Sequence, residues 1–444
     1  MWWLKNIYAV DPSGSCGKRD ILIREGKIEA NAERLSPEEV AERAGGEPVE
    51  SLNGEGKYLF PGFIDAHTHL REPGQEAKED IASGAAAAVK GGFTSIIAMA
   101  NTEPPVDSRG LVEFVRTQGA RAGLARVYPL GTVTKGMRGR ELVEMLDLKE
   151  GGAVGFSDDG HNLQNSEVMR LALEYAKLTG LPIVSHSEDE NLACGGAMHR
   201  GKAAARLGLK GIPSSAESIM VARDLMLAAE TGGKIHLAHI SCRESVRLIR
   251  EAKERGLDVS AEVNPHHLLF TDRDVDLFNT SLKVNPPLRS EEDQEALLTG
   301  LLDGTLDMLA TDHAPHVWEE KARPFAEAPF GIIGLETALA AVWQRLVVPG
   351  KLSPKRLAEV WSLAPARRFG LPGGTLRPGS PADLVLFDPE WRERITSDSL
   401  ASKAQNTPFL GQELQGFPTL VWVGGEPVLR GRQLCPAGDG VRHR

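Results

Sequence analysis

The sequence has few cysteines and no long apolar run. Its four cysteines, at positions 16, 194, 242 and 435, stand far apart and lack the C-x-x-C spacing of a zinc or redox motif. They are too few to staple a chain of 444 residues and are typical of a protein of the reducing cytoplasm. The start of the chain turns polar within about ten residues, too soon for a signal peptide. No segment approaches the about 18 apolar residues of a membrane span, so the sequence predicts a cytoplasmic protein without a membrane anchor.

An excess of positive charge is also absent. The 51 lysines and arginines are outnumbered by 61 aspartates and glutamates, which gives a net charge of −10 and argues against a general nucleic-acid binder. Any anionic substrate must therefore be held by local basic groups. Hydrophobic residues at 41% and charged residues at 25% are ordinary for a globular protein. The length fits one large barrel with an attachment, or two to three domains.

The middle of the sequence repeats a short β-rich run followed by a longer stretch of helical periodicity. Residues 166–180 and 242–256 are clear helical patterns, because their apolar residues recur every three or four positions. Strands that alternate with helices indicate a parallel sheet, and eight such units predict the α/β class and a closed (β/α)8 barrel of the TIM type. The eight strand candidates are LFPGFIDAHTH, TSIIAMAN, RVYPLGTVT, AVGFSDDG, PIVSHSED, KIHLAHIS, DVSAEVNPHH and DMLATDHAP.

The two ends of the chain have a different pattern. Residues 1–57 and 371–444 contain short strand patterns with glycine-containing turns and little helix between them. We expect these two segments to pair into one small β-domain, and residues 58–370 to form the barrel.

Metal-ligating residue types follow several predicted strands at the point where each strand ends. His67 and His69 are two apart and therefore face the same side of a strand, and Asp65 is expected to join them one pleat earlier. Asp158 and Asp159 end the fourth candidate. His186, His239 and Asp312 follow the fifth, sixth and eighth candidates in the same way.

These strand ends share one place in a barrel, because the loops after the strands surround a common mouth. Each residue alone is explained equally well as a buried histidine bonded to a backbone carbonyl or as an aspartate that caps a helix. The whole set at equivalent positions favours a metal centre. Imidazole and carboxylate ligands suit zinc, and manganese, cobalt and iron remain possible. A centre of this kind is typical of metal-assisted hydrolysis.

Eight motifs in this order carry a resemblance to a known family: DAHTHLREPG, NTEP, FSDDG, SHSED, LAHIS, VNPHHL, NPPLR and ATDHAPH. They resemble the amidohydrolase superfamily and, within it, the bacterial class I dihydroorotases. The match begins near residue 54 and continues through NTPF. The resemblance implies an outer β-sandwich built from both termini and one or two zinc ions per subunit, with other divalent metals open. It also implies reversible cyclisation of N-carbamoyl-L-aspartate to L-dihydroorotate in pyrimidine biosynthesis.

The resemblance also implies roles for single residues. The ligand set that it implies is His67, His69 and Asp312 for a first metal, Asp159 as the bridge, and His186 and His239 for a second metal. Asp312 is in addition expected to be the catalytic proton carrier. Many relatives in the superfamily use a carboxylated lysine as the bridge, which this chain lacks at the end of its fourth strand.

The substrate is expected to bind through residues around these ligands. The implied contacts are Arg71, Asn101 and His316 to the α-carboxylate, and Asn285 with the backbone of Phe330 and Gly331 to the ring. A surface ion pair with Glu72 or Glu76 is the alternative for Arg71. Residues 316–331 are either a lid or a solvated connection. His266 and His267 receive no role.

Two alternatives remain beside this interpretation. An allantoinase or a hydantoinase would share the barrel and the reaction type, although Arg71 and the absent bridging lysine count against both. A non-catalytic scaffold for aspartate transcarbamoylase would have a different function altogether. Association with that enzyme and assembly into a homo-oligomer are both left open by the sequence.

Overall fold

The computed structural model describes residues 1–14, 16–276 and 279–435. The strands, in chain order, are β1 (Trp2–Val10), β2 (Cys16–Arg24), β3 (Lys27–Ala32), β4 (Glu50–Asn53), β5 (Tyr58–Pro61), β6 (Phe63–Thr68), β7 (Phe93–Ala98), β8 (Arg126–Pro129), β9 (Ile183–Ser185), β10 (Met198–His199), β11 (Gly211–Ile212), β12 (Ile235–Leu237), β13 (Val259–Val263), β14 (Met308–Leu309), β15 (Leu384–Arg394), β16 (Glu413–Val423), β17 (Glu426–Arg430) and β18 (Gln433–Leu434).

Helices separate the central strands. They are α1 (Pro37–Ala44), α2 (Ile81–Gly91), α3 (Arg109–Ala122), α4 (Met145–Gly151), α5 (Ser166–Thr179), α6 (Glu190–Ala193), α7 (Lys202–Leu207), α8 (Ser215–Thr231), α9 (Arg243–Glu254), α10 (Pro265–Leu269), α11 (Glu291–Asp303), α12 (Trp318–Lys321), α13 (Ala338–Val342), α14 (Pro354–Ala358) and α15 (Ala364–Phe369). The two helical patterns in the sequence are confirmed by α5 and α9. Among the described residues, no helix combines the length and the apolar character needed to cross a bilayer.

Parallel pairing closes the central strands into a ring. Strands β6, β7 and β8 pair in parallel, and so do β9, β12, β13 and β14. Phe156 fills the place between these two groups, because it bridges Gly131 on one side and Ile183 on the other. Thr68 bridges His313 and closes the ring. The predicted barrel is therefore confirmed, with its fourth member reduced to single bridges.

The first predicted strand is in fact two strands. Residues 59–69 divide at Gly62 into β5, which belongs to an outer sheet, and β6, which belongs to the barrel. A side chain at position 62 would collide with the neighbouring barrel strand, because a Cβ there would lie 2.0 Å from Thr94 Oγ1. The chain therefore passes from the outer sheet into the barrel through a single glycine.

Both ends of the chain build the outer sheet. Its order is β18-β17-β16-β15-β5-β1-β2-β3, and β4 pairs with the first half of β1, on the edge whose second half pairs with β5. The rings of Trp2 in β1 and Trp422 in β16 are only 5.5 Å apart, although β15 and β5 lie between these strands in the sheet. The sheet must therefore fold over its own apolar core, as in a sandwich. The division of the chain after residues 57 and 370 stays a prediction.

Aromatic side chains pack together at the start of two barrel strands. Trp361 is fully buried, and its ring lies 6.1 Å from that of Phe63 and 5.5 Å from that of Phe93. Phe63 and Phe93 begin β6 and β7. This contact packs the start of both strands against the segment between α14 and α15.

The packing of the outer sheet against the barrel predicts one stability effect. Gly416 in β16 has a φ of 90°, and a Cβ there would lie 2.5 Å from Trp343 Cδ1 and 2.6 Å from Phe387 Cζ. We expect Gly416→Ala to lower the free energy of unfolding by about 2 kcal/mol or more, through overpacking and left-handed strain. Gly411→Ala is the control, because Gly411 has a φ of 79° and open space; it should cost about 1 kcal/mol. Equal losses in urea unfolding would contradict the packing argument.

Candidate metal centre

Four histidines and two aspartates meet at the carboxyl end of the barrel. His67 lies in β6, and the other five lie within three residues after a barrel strand or, for Asp159, after the bridging residue Phe156. All six are buried. Because the strands are parallel and closed into a ring, their ends surround a single cavity. The six residues are His67, His69, Asp159, His186, His239 and Asp312.

The first group is formed around one oxygen of Asp312. Asp312 Oδ1 lies 3.0 Å from His69 Nε2 and 3.5 Å from His67 Nε2. The other oxygen, Oδ2, accepts a long hydrogen bond of 3.5 Å from Asn264 Nδ2. Burial acts to raise the pKa of Asp312, but His67 and His69 hold it below its usual value. Asp312 is therefore an anion in this site.

Asp159 lies between two pairs of histidines and presents one oxygen to each pair. Its Oδ2 is 3.6 Å from His67 Nε2 and 3.5 Å from His69 Nε2. Its Oδ1 is 3.4 Å from both His186 Nδ1 and His239 Nε2. Burial acts to raise the pKa of Asp159, but the surrounding imidazoles lower it well below its usual value. A carboxylate in this position has the geometry of a bridge between two cations.

The donor set fits one or two divalent metal ions. His67 Nε2 is buried and has no hydrogen-bond partner among the described residues, and His186 Nδ1 faces His239 Nε2 at 2.9 Å. Burial acts to lower the pKa of His67, but the carboxylates around it raise that pKa well above its usual value, so the pocket attracts a positive charge. Ligand atoms of His67, Asp159 and His239, and likewise of His67, His69 and Asp312, lie within 4.8 Å of one another.

Glu262 is a central residue of the site that the sequence reasoning missed. It lies in β13, is fully buried, and accepts a hydrogen bond of 2.7 Å from His67 Nδ1 and one of 3.2 Å from the backbone N–H of His239. Its other oxygen is 3.0 Å from His236 Nε2. Burial acts to raise the pKa of Glu262, but the two histidines lower it to about 2. The Nδ1–H bond leaves the lone pair of His67 on Nε2, which points into the centre.

Two aspartates of the predicted strands do not join the centre. The expectation for Asp65 is wrong: it lies deeper in the barrel and accepts hydrogen bonds from the backbone N–H and the hydroxyl of Thr311, at 2.9 and 2.5 Å. Asp158 accepts from the backbone N–H groups of Val133 and Thr134, at 2.7 and 3.1 Å. Both carboxylates hold neighbouring barrel segments together.

The backbone is strained at the rim of the centre. Arg71, His239 and Asp312 have φ angles of 64°, 34° and 50°, a region that residues with a side chain seldom adopt. Such strain costs about 1–3 kcal/mol at each position and tends to gather where function requires a particular orientation.

The residues expected to bind an α-carboxylate lie around His69. Asn101 Oδ1 accepts a hydrogen bond of 2.9 Å from His69 Nδ1, which leaves its amide N–H groups for other acceptors. Arg71 Nε donates to the carbonyl of Pro315 at 3.2 Å, beside His316. The alternative of an ion pair with Glu72 or Glu76 is not seen among the described contacts. Burial lowers the pKa of Arg71 to about 10, so the guanidinium stays charged.

His316 begins the segment of residues 316–331 and ties its two ends together. Its Nε2 lies 2.9 Å from the carbonyl of Phe330, and its Nδ1 lies 2.8 Å from Glu320 Oε2. Lys321 in the same segment donates to the carbonyls of Pro329 and Gly331, at 2.9 and 3.0 Å. The segment is thus a tied loop with a short helix, and its movement as a lid stays a prediction.

Asn285 reaches the opposite wall of the cavity. Its Oδ1 is buried and has no hydrogen-bond partner in residues 1–14, 16–276 and 279–435, which suits a donor from a bound molecule. His267, which received no role from the sequence, donates from Nε2 to the carbonyl of Pro286 at 2.9 Å and so holds this segment. His266 packs against His267 with 4.5 Å between the ring centroids.

The chain is similar to known proteins both in sequence and in fold. A family model described as Dihydro-orotase-like matches residues 56–245. The dihydroorotase of Pelotomaculum thermopropionicum is 49% identical over 432 residues, covering 97% of this chain and 99% of the relative. The dihydroorotase of Anaeromyxobacter dehalogenans is 50% identical over 422 residues, covering 94% and 95%. The solved L-hydantoinase (dihydropyrimidinase) of Arthrobacter aurescens superposes with a TM-score of 0.84 at 27% identity, covering 98% and 97%.

The contacts of Glu262 predict an effect on metal affinity. Glu262→Gln keeps the shape of the side chain but removes the charge that holds the Nδ1–H of His67. We expect zinc to bind about 10–100-fold more weakly, the usual loss for a partner of a metal-binding histidine. Competition with a chelator on metal-free protein measures it.

Glu217→Gln is the matched control, because Glu217 is buried but bonds the backbone of Ser241 and Cys242 instead of a histidine. Equal zinc affinity in Glu262→Gln and the unchanged protein would contradict the orienting role.

Proposed function

The chain belongs to the dihydroorotase family of the amidohydrolase superfamily, and we propose that its barrel mouth interconverts N-carbamoyl-L-aspartate and L-dihydroorotate. Identity of 49% over nearly the whole length of a dihydroorotase supports this activity. The observation that carries the proposal within the structure is the position of Asp159, with one oxygen towards each pair of histidines. An aspartate bridge without a carboxylated lysine agrees with the class I dihydroorotase pattern.

The metal ligands in this proposal are the six clustered side chains. His67, His69 and Asp312 would hold one ion, His186 and His239 would hold a second, and Asp159 would be shared between them. We assign zinc, since imidazole and carboxylate are its preferred nitrogen and oxygen ligands. When bound, the metal lowers the pKa of water towards 7 and polarises the ring carbonyl.

Asp312 moves the proton in this proposal. Its Oδ1 is engaged by the two histidines, whereas Oδ2 has, among the residues that the structure describes, only the long contact to Asn264. Oδ2 is therefore the oxygen available for proton transfer. In hydrolysis it accepts the proton from the attacking water and passes it to the ring nitrogen as the C–N bond breaks. In the direction of ring closure the same carboxylate takes the proton from the carbamoyl nitrogen and returns it to the departing water.

Arg71 and its neighbours orient the substrate in this proposal. A guanidinium pairs well with a carboxylate because its donors form a planar fork. Among the described residues the one hydrogen bond of Arg71 uses Nε, so its two terminal nitrogens can hold the α-carboxylate. Asn101 and His316 flank that position, and Asn285 with the backbone at Phe330 and Gly331 faces the ring.

We also propose a cytoplasmic location. All four cysteines are free in the structure, as expected in a reducing compartment. An enzyme of pyrimidine biosynthesis acts on soluble, charged metabolites, which agrees with this placement.

A hydantoinase is the second candidate, because the L-hydantoinase shares nearly the entire fold. The difference in identity, 27% against 49%, favours the dihydroorotase. The chemical difference lies in the substrate: dihydroorotate carries an α-carboxylate that hydantoin and dihydrouracil lack. Arg71 therefore separates the two candidates.

The role of Asp312 predicts a loss of turnover. Asp312→Asn keeps the shape but cannot accept a proton, so kcat should fall by at least about 10²-fold in both reaction directions. The measurement compares kcat in both directions for protein loaded with excess zinc, with the metal content determined on the same sample. A change in KM alone would make Asp312 a binding residue and leave the proton transfer to another group.

The role of Arg71 predicts a change in substrate preference. Arg71→Met removes charge-assisted hydrogen bonds in a partly dehydrated site, worth about 2–5 kcal/mol, or roughly 30-fold to several thousand-fold in kcat/KM for dihydroorotate. Turnover of dihydrouracil should change little, because that ring has no carboxylate. Arg71→Lys is the matched variant, which keeps the charge but loses the fork. Unchanged kcat/KM for dihydroorotate in Arg71→Met would favour the hydantoinase reading instead.

A further inference from the structure

The geometry points to Asn406 as a positioning residue that holds His316 and the Phe330–Gly331 backbone in place for the substrate, a role that rests on the proposed function. Asn406 lies about 90 residues after His316 in the sequence and beyond the barrel. It comes from the segment between β15 and β16 of the outer sheet. The substrate wall of the barrel is therefore completed by the far end of the chain.

The side chain of Asn406 is buried and uses both its donors and its acceptor on this wall. Its Nδ2 donates to the carbonyl of Ala314 at 3.0 Å and to the carbonyl of Gly331 at 3.1 Å. Its Oδ1 accepts from the backbone N–H of His316 at 3.2 Å. A carboxamide on a side chain of this length offers two N–H donors and one acceptor. Neither aspartate nor an aliphatic residue can form the same three hydrogen bonds.

Close packing at Gly331 makes this bridge necessary. Gly331 has a φ of 141°, and a Cβ there would lie 2.8 Å from the carbonyl oxygen of Ala314 and 3.0 Å from His316 Cδ2. The carbonyls of Ala314 and Gly331 converge on one point, where their partial negative charges need a donor. Asn406 supplies it between them, and Lys321 adds a second donor to Gly331.

Two buried carboxylates of the barrel hold the segment that carries Asn406. Glu336 accepts from the backbone N–H groups of Ala401 and Ser402, at 2.8 and 3.2 Å. Glu79 accepts from the hydroxyl of Ser402 and, at 3.2 Å, from the backbone N–H of Lys403. The segment is thereby docked on the barrel before Asn406 reaches the wall.

Asn406 has no described contact with any of the six clustered ligand side chains. Its contacts lead to the substrate wall alone. Loss of its side chain should therefore weaken substrate binding and leave both the metal content and the proton transfer intact. This separation distinguishes a positioning role from a merely structural one.

The test uses Asn406→Ala and the near-isosteric Asn406→Asp in the full-length, zinc-loaded protein. We expect KM for dihydroorotate to rise about tenfold or more in both variants, the equivalent of at least one lost hydrogen bond, with kcat within about threefold and the metal content unchanged. Asn406→Asp should not rescue binding, because it keeps the acceptor for His316 and loses both donors. If the alanine variant does not fold, the KM of Asn406→Asp is compared with that of the unchanged protein.

Gln405→Ala is the matched control, because the neighbouring side-chain amide is exposed and, within the described part of the chain, accepts only from the hydroxyl of Ser397, at 2.9 Å. Its KM should equal that of the unchanged protein. Unchanged KM in both Asn406 variants would overturn the inference, as would a parallel fall of kcat, metal content and thermal stability. If the unchanged protein does not turn over dihydroorotate, the proposed function fails, which is a separate result.

Discussion

The burial of three carboxylates at one end of the barrel is the constraint on which the site depends. Asp159, Glu262 and Asp312 are all removed from water, and charges so placed are tolerated only with opposite charge close by. The imidazoles around them supply part of that charge when protonated, and divalent metal ions would supply it while leaving the imidazoles neutral. In this way one electrostatic requirement accounts for the histidines, for their tautomers and for the need of a cation.

The predictions from sequence were successful where a feature was periodic or repeated. Alternating strands and helices indicated the barrel, and the spacing of His67 and His69 indicated a shared face. The same spacing gave a wrong prediction for Asp65, because a residue one pleat deeper in the barrel faces a neighbouring barrel segment instead of the mouth. Asp65 bonds Thr311, two residues after β14. Glu262 was missed because a single carboxylate inside an apolar strand has no periodic signal.

The rest could not be predicted because it depends on contacts distant in sequence. Gly62 separates the outer sheet from the barrel, and Thr94 occupies the space that a side chain at position 62 would need. The sequence around Gly62 does not reveal this contact. Asn406 lies within the NTPF motif, but only the fold shows that its amide reaches Gly331 and His316. Local patterns thus predict elements and strand-end residues, whereas the proposed substrate wall also includes a segment from beyond the barrel.

This division between centre and wall explains how one barrel serves several cyclic amides. Rings with and without a carboxylate need the same activation of water and of a carbonyl, so the histidines and aspartates can stay constant while substrates differ. In the proposed function, discrimination comes from groups that meet the rest of the ring, among them the loop from His316 to Gly331. That loop is bonded by the side chain of Asn406, which comes from beyond the barrel. A change far along the chain can therefore alter substrate preference without touching the metal ligands.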